Sequence, residues 1–324
     1  MADVLCTLPL PEPFPGPVKA VATLRVLGRI PLTAELIADL QGCPADVLCS
    51  QLDDPINADV LDAGLPRLRA VCTYAVGTNN IDVAAATERG ILVANTPGVL
   101  TDATADMAMA LLLAAARHVV EGDRQVRAGV WQRWEPGYLL GLDLTGARLG
   151  IVGFGRIGQA VARRARAFGM EIATLERSAG RIPDDLRGEV STMPFDDLIA
   201  GSDVVSLHCP LTPETHHLID AATLARMKPT AVLVNTARGS VVDEMALVRA
   251  LQEGWISAAG LDVYEVEPEV APGLAECRNA VLAPHLGSAT VQTRAAMAGL
   301  VAENALAVLR DELPPHCLNP EAKR

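Results

Sequence analysis

Three short segments in the second half of the chain carry side chains that could deliver a proton to a carbonyl group. They are Asn235-Thr236-Ala237-Arg238-Gly239-Ser240, Asp262-Val263-Tyr264-Glu265-Val266-Glu267-Pro268 and Ala283-Pro284-His285-Leu286-Gly287. Each follows a short apolar run of the kind that folds as a buried strand. Reduction of an α-keto acid needs a proton donor for the carbonyl oxygen, a cation for the carboxylate and a source of hydride. Histidine suits the first task, because its unperturbed pKa of about 6.5 lies near neutrality. A neighbouring carboxylate keeps the imidazole protonated, and the planar fork of an arginine grips a carboxylate in two places. Singly, Arg238 could be a surface pair, Glu267 a solvated loop acid and His285 a capping or core residue. Together, after three consecutive strands, they read as a catalytic set.

The hydride source is written earlier in the chain. The run Leu149-Gly-Ile-Val152 leads into Gly153-Phe154-Gly155-Arg156-Ile157-Gly158, and Ile157, Val161, Ala165 and Phe168 then recur at helical spacing. A second apolar run, Ile172 to Leu175, ends at Glu176. This order of strand, glycine turn, helix, strand and acid is that of a dinucleotide-binding unit. Gly153 permits the turn, Gly155 admits a pyrophosphate and Gly158 allows close packing, while free N–H groups at the helix start meet the phosphate charge. Glu176 stands where a carboxylate would bond the adenosine ribose.

These side chains need a scaffold that gathers strand ends. Strands are expected at Ala147–Val152, Glu171–Leu175, Asp203–Ser206, Ala231–Val234, Ala258–Leu261 and Ala280–Leu282, giving a doubly wound parallel sheet of six strands. The first hundred residues read as a smaller α/β domain, with strands at Val18–Leu27, Asp46–Cys49, Leu68–Cys72 and Ile91–Ala94. Helices fall between them at Thr33–Leu40, Asp59–Ala63 and Ile81–Arg89, with Gly90 as a stop. Pro9 to Pro17 resists helix and reads as a loop. The alanine-rich helix Thr101–Arg117 is expected to be buried between domains, and a last helix, Ser288–Leu309, to cross back to the first. The fold class is therefore α/β, a Rossmann-type domain at 101–286 inserted into a flavodoxin-like substrate domain at 1–100 and 287–324.

Composition limits the function classes. The net charge of −12 argues against nucleic acid or an anionic membrane as partner. The apolar helix around Met107–Ala116 is too short to span a bilayer, and no basic, then apolar, leader opens the chain. The seven cysteines show no metal spacing, so free thiols in a reducing cytoplasm and no metal are expected. Aromatics make up only 3% of the chain, yet Trp131, Trp134 and Tyr138 sit together between Gly129 and Gly141. That cluster reads as a subunit contact or as core packing.

Over nearly its whole length the chain resembles the D-isomer-specific 2-hydroxyacid dehydrogenases. Tyr74-Ala-Val76-Gly77-Thr-Asn-Asn-Ile-Asp resembles that family's substrate-carboxylate loop, and Asn95-Thr-Pro-Gly with Thr101-Asp-Ala-Thr104 its hinge and interdomain helix. Leu207-His-Cys209-Pro210-Leu-Thr-Pro-Glu-Thr215 resembles the loop beside the adenosine end of the cofactor. The resemblance implies catalytic roles for Arg238, Glu267 and His285, with Asp262 on the nicotinamide carboxamide. It implies substrate contacts at Leu52, Tyr74, Val76, Gly77 and Arg238. Cofactor contacts are implied at Thr104, Gly153, Gly155, Arg156, Ile157, Gly158, Glu176, Arg177, Cys209, Pro210, Thr215, Thr236, Ala237, Asp262, His285 and Gly287.

Leu48-Cys-Ser-Gln-Leu52, Tyr74–Asp82 and Gly141-Leu-Asp-Leu-Thr-Gly look most like the glyoxylate/hydroxypyruvate reductases. The resemblance implies reduction of glyoxylate and hydroxypyruvate by NAD(P)H, and a homodimer in which Trp134 or Tyr138 reaches the neighbouring active site. Over 324 residues there is no room for the regulatory domain of longer phosphoglycerate dehydrogenases. Another D-2-hydroxy acid, 3-phosphoglycerate included, and an NADH-sensing role like that of related corepressors are the alternatives. Glu176 followed by Arg177 departs from the usual pattern, since the acid favours NAD and the arginine NADP; NADH is the expected preference, with NADP possible.

Overall fold

Short apolar runs bounded by turn residues become parallel strands, and the amphipathic stretches between them become helices. The computed structural model describes residues 2–322, so residues 1, 323 and 324 of the expected substrate domain lie outside the described residues. The chain forms two compact units, one running to Leu100 and resuming at Ala289, the other Thr101–Ser288. The return was expected at residue 287, but Leu286 and Gly287 still donate their N–H groups to Asp262 inside the second unit.

The first unit runs β1 (Ala2–Cys6), α1 (Pro15–Lys19), β2 (Ala22–Val26), α2 (Thr33–Gly42), β3 (Val47–Ser50), α3 (Ala58–Gly64), β4 (Ala70–Thr73), α4 (Val83–Glu88) and β5 (Leu92–Ala94). The strands form one sheet in the order β2-β1-β3-β4-β5, parallel throughout. Side chains alternate between faces with period two. Val4, Val47, Cys49, Cys72 and Ala94 enter one core, and Leu5, Leu48, Val71 and Val93 the other. Both faces are covered, which is why these strands read as continuous apolar runs.

Two expectations fail here. Val18 lies in α1 rather than in a strand, and Pro15 to Pro17 lie in the same helix rather than in a loop, because proline in the first helical turn gives up no helical N–H bond. β1 was not anticipated, since five residues at the chain start carry no flanking pattern to separate strand from loop.

The second unit begins with α5 (Thr101–Ala116) and α6 (Val119–Arg127), then β6 (Arg148–Val152), α7 (Arg156–Ala167), β7 (Glu171–Leu175), β8 (Val190–Met193), α8 (Phe195–Gly201) and β9 (Val204–Leu207). It continues through α9 (Ala221–Leu224), β10 (Val232–Asn235), α10 (Glu244–Glu253), β11 (Ala258–Leu261) and β12 (Ala280–Leu282). After these the chain returns to the first unit with α11 (Val291–Leu309). The sheet has seven strands, not six, in the order β12-β11-β10-β9-β6-β7-β8. The extra one, β8, is an edge strand whose Ser191 and Thr192 are exposed, so it lacks an apolar signature. The buried side chains of α5 pack with β6, β10 and β11 residues in one of the two cores of this unit. Strand order reverses between β6 and β9, where doubly wound sheets open a crevice for ligands.

Candidate active site

Gly153, at the carboxyl end of β6, has φ +101°, and a side chain there would strike the His208 and Cys209 backbone at 2.5 Å. A Cβ on Gly158 would sit 2.2 Å from the Gly153 carbonyl, so glycine is what lets α7 pack against this turn. At Gly155 a Cβ would meet no protein atom within 4 Å. Gly155 is also the N-cap of α7 without a side-chain cap, and the first turn holds no acid. N–H groups at Arg156, Ile157 and Gly158 thus lie at an open helix start, a site built for an anion. These features fit a dinucleotide pyrophosphate.

Glu176 and Arg177 follow β7 directly and are both exposed. With Leu175, Met193, Pro194, Phe195 and Leu218 they line a cavity of about 330 Å³. Burial pushes the Cys209 thiol up, and the charge of Arg177 opposes that rise, so the β7 and β9 ends are electrostatic neighbours. Pro210 is exposed, while buried Thr215 donates to the Pro210 carbonyl at 2.7 Å and so holds the turn between them. Buried Thr236 and Ala237 follow β10, and the Thr236 hydroxyl lies 3.5 Å from Nδ1 of His208.

Arg238, Glu267 and His285 come together at the ends of the next strands. Nδ1 of His285 lies 2.7 Å from Oε2 of Glu267. Burial pushes the Glu267 carboxyl up, but the His285 hydrogen bond and charge, the Tyr264 N–H and the charge of Arg238 carry it below its ordinary value. Burial lowers Arg238, and the Glu267 charge opposes that shift. Asn235 pins the arginine's loop from both sides, accepting from the Ala237 N–H at 3.0 Å and donating to the Arg238 carbonyl at 2.9 Å. Asp262 is buried and holds the loop after His285, its two oxygens accepting from Leu286 and Gly287 at 2.6 and 2.7 Å. Burial raises its carboxyl against those bonds. Thr104 donates to the Gly287 carbonyl at 3.2 Å and steadies the same loop.

Tyr264 was missed by sequence reasoning. Its N–H binds Oε1 of Glu267 and its hydroxyl donates to the Ala283 carbonyl, both at 3.0 Å, so one residue ties the acid to the strand before the histidine. Burial and the nearby carboxylates push the phenol up to about 12, which keeps it a donor. Asn235 could have been suspected as a polar end to an apolar strand; nothing in the sequence singled out Tyr264.

A second group of expected residues lies in the first unit. Leu52 is half-buried in the loop after β3, and Val76 and Gly77 follow β4, Val76 being exposed. Asn80 joins the two loops, donating to the Gln51 and Asp54 carbonyls at 2.9 and 2.8 Å, and Asn95 holds the Val76 carbonyl at 2.8 Å. The Tyr74 side chain is buried in the core of this unit, with its hydroxyl on the Arg294 carbonyl at 2.7 Å.

Residues 109–287 match the family model for the D-isomer specific 2-hydroxyacid dehydrogenase, NAD binding domain. The chain belongs to the D-isomer specific 2-hydroxyacid dehydrogenase family. This dehydrogenase is 55% identical over 279 residues to the glyoxylate reductase of Korarchaeum cryptofilum, an alignment covering 85% of this chain and 83% of that protein. Among solved structures it is similar to a glyoxylate reductase from Paecilomyes thermophila, with TM-score 0.86, 36% identity and 98% of each chain covered. It is also similar to the NADPH-dependent glyoxylate/hydroxypyruvate reductase of Sinorhizobium meliloti in complex with NADP and malonate. That match has TM-score 0.85 and 33% identity, and covers 100% of this chain and 98% of the other. The dehydrogenase is thus an NAD-binding oxidoreductase.

Proposed function

We propose that this dehydrogenase reduces glyoxylate to glycolate and hydroxypyruvate to D-glycerate with NAD(P)H, preferring NADH. The observation that carries the reading is the 2.7 Å pairing of His285 with Glu267, in a site where Arg238 is a half-buried cation. The relatives named glyoxylate reductase supply the substrate class. Gly153, Gly155, Gly158 and the α7 N-terminus would hold the pyrophosphate, Glu176 the ribose and Asp262 the carboxamide. When bound, the nicotinamide supplies the hydride to the carbonyl carbon.

The protein's part is to hold charge and move a proton. Arg238 receives the keto-acid carboxylate and polarises the carbonyl. Nδ1 of His285 faces Glu267, which leaves Nε2 as the atom that gives its proton to the developing alkoxide. Glu267 stays ionised and favours the charged imidazole.

Among the described residues no single helix is long and apolar enough to cross a membrane. All seven cysteines are unpaired, and we place the enzyme in a reducing cytoplasm as a homodimer. The test of function is an initial-rate panel of glyoxylate, hydroxypyruvate, phosphohydroxypyruvate and branched 2-keto acids, each with NADH and NADPH. Fastest turnover of the two small acids is expected. A preference for a phosphorylated or bulky acid would reassign the substrate, and no turnover at all would leave a cofactor-sensing role.

A further inference from the structure

The structure assigns to Glu244, a residue outside the catalytic set, the positioning of Glu267; the assignment rests on reading Glu267 and His285 as the acid pair. Glu244 opens α10 and is 4% exposed. Its two carboxylate oxygens reach different points of the loop between β11 and β12. Oε1 accepts the Glu265 N–H at 2.6 Å, and Oε2 accepts the Ala271 N–H at 3.1 Å. Glu267 lies between these anchors.

Glu265 answers in kind. Its Oε1 accepts the Glu244 N–H at 2.8 Å, and its Oε2 lies 3.0 Å from Nε2 of His217. A bridge between Val266 and Glu269 narrows the enclosed loop. Within it the Tyr264 N–H takes Oε1 of Glu267, which leaves Oε2 for His285. The loop is otherwise irregular and carries Val266 at 66% exposure, so these bonds are what set the direction of the carboxylate.

The chemistry calls for a carboxylate. Both backbone partners are donors, and a carboxylate is all acceptor; glutamine would meet one of them with an N–H₂ group. Burial, with the charges of Glu265 and Glu267, pushes the Glu244 carboxyl up from its ordinary value, against the hydrogen bonds from the Glu265 and Ala271 N–H groups. An acid disfavoured by its surroundings, with both oxygens committed to the Glu267 loop, fits positioning better than bulk stabilisation. The titratable groups facing Glu267 are His285, Arg238, Asp262, Tyr264 and Glu244 itself.

The test compares Glu244→Gln, Glu267→Gln and the double variant. Glu244→Gln should lower kcat for glyoxylate roughly 10–100-fold, as misplacement of a reacting group does, with the Kd for NADH little changed. The alkaline fall-off of reduction should move to lower pH, in the direction produced by Glu267→Gln. In the Glu267→Gln background, adding Glu244→Gln should change kcat by less than about twofold, because the effect passes through the missing carboxylate. A Glu244→Gln enzyme with lowered Tm but wild-type kcat and pH profile, or losses that multiply in the double variant, would overturn the assignment. If Glu267→Gln itself keeps the wild-type profile, the acid-pair reading fails and takes the assignment with it. A shifted Glu267→Gln beside an unshifted Glu244→Gln sinks the assignment alone. Should Glu244→Gln not fold, Glu244→Asp, which keeps the charge and withdraws it by one methylene, gives the same readings.

Discussion

His285 holds a left-handed backbone conformation, φ +53°, which costs a non-glycine residue about 1–3 kcal/mol. The loop sustains it through the Asp262 carboxylate on Leu286 and Gly287 and the His285 N–H on the Asp262 carbonyl at 3.0 Å. Strain of this kind is kept where a side chain must point one way. His285→Ala should therefore lower kcat by about 10²–10⁴-fold, the usual worth of a placed acid, while NADH affinity measured by fluorescence stays close to wild type. Near-normal turnover would remove the histidine from the mechanism. Glu267→Gln leaves the donor but removes the charge that favours the protonated imidazole. Reduction should then fail at lower pH than in the wild type, read from kcat/KM against pH. Arg238→Lys keeps a cation but loses the fork, so about 1.5–3 kcal/mol of keto-acid interaction should disappear, raising KM and slowing turnover together. Wild-type kinetics in that variant would make Arg238 a structural residue. All three side chains were legible in the sequence because each follows an apolar run. Tyr264 and Glu244 were not, because the Tyr264 N–H on the Glu267 carboxylate, its hydroxyl on the Ala283 carbonyl and the Glu265 and Ala271 N–H groups on Glu244 are contacts that only the folded loop presents.

At the scale of elements, we propose that the β6–α7–β7 unit sets cofactor choice. Its helix start presents N–H groups without a side-chain cap, and its second strand is followed by exposed Glu176 beside exposed Arg177. A carboxylate at the ribose accepts its hydroxyls and repels a 2′-phosphate, and a solvated arginine screens that repulsion only in part. The enzyme should favour NADH with measurable NADPH turnover. Glu176→Ala should lower kcat/KM for NADH and raise it for NADPH; a wild-type enzyme faster with NADPH would refute this account of the acid. The turn was readable in the sequence, since Gly153 and Gly158 each answer a close backbone contact and Gly155 opens the helix start. β8 and β1 were not. An edge strand with two exposed polar residues and a five-residue strand at the start of the chain carry no periodicity of their own, and pairing alone makes them strands.

For the molecule as a whole, the segment between α6 and β6 is notable for the large apolar side chains it leaves at the surface. Trp131 is 51% exposed, Trp134 76% and Leu140 72%, with Tyr138 also at the surface, so the expectation of core packing does not hold within the chain. Aromatic residues are enriched at protein–protein interfaces, and we propose this cluster as the subunit contact. Light scattering should report twice 34.1 kDa, and Trp134→Asp should shift the enzyme toward monomer; a wild-type monomer would exclude the dimer. By itself the sequence determined the α/β class and the dinucleotide turn, and it singled out Arg238, Glu267 and His285 as the proposed catalytic set, because these depend on residue type and on spacing along one strand or helix. Only the tertiary structure decided the seven-strand order and the 2.7 Å meeting of His285 with Glu267. It also decided which buried groups aim them. Those facts depend on contacts between residues far apart in the chain, which local pattern does not encode and the packing of strand ends does.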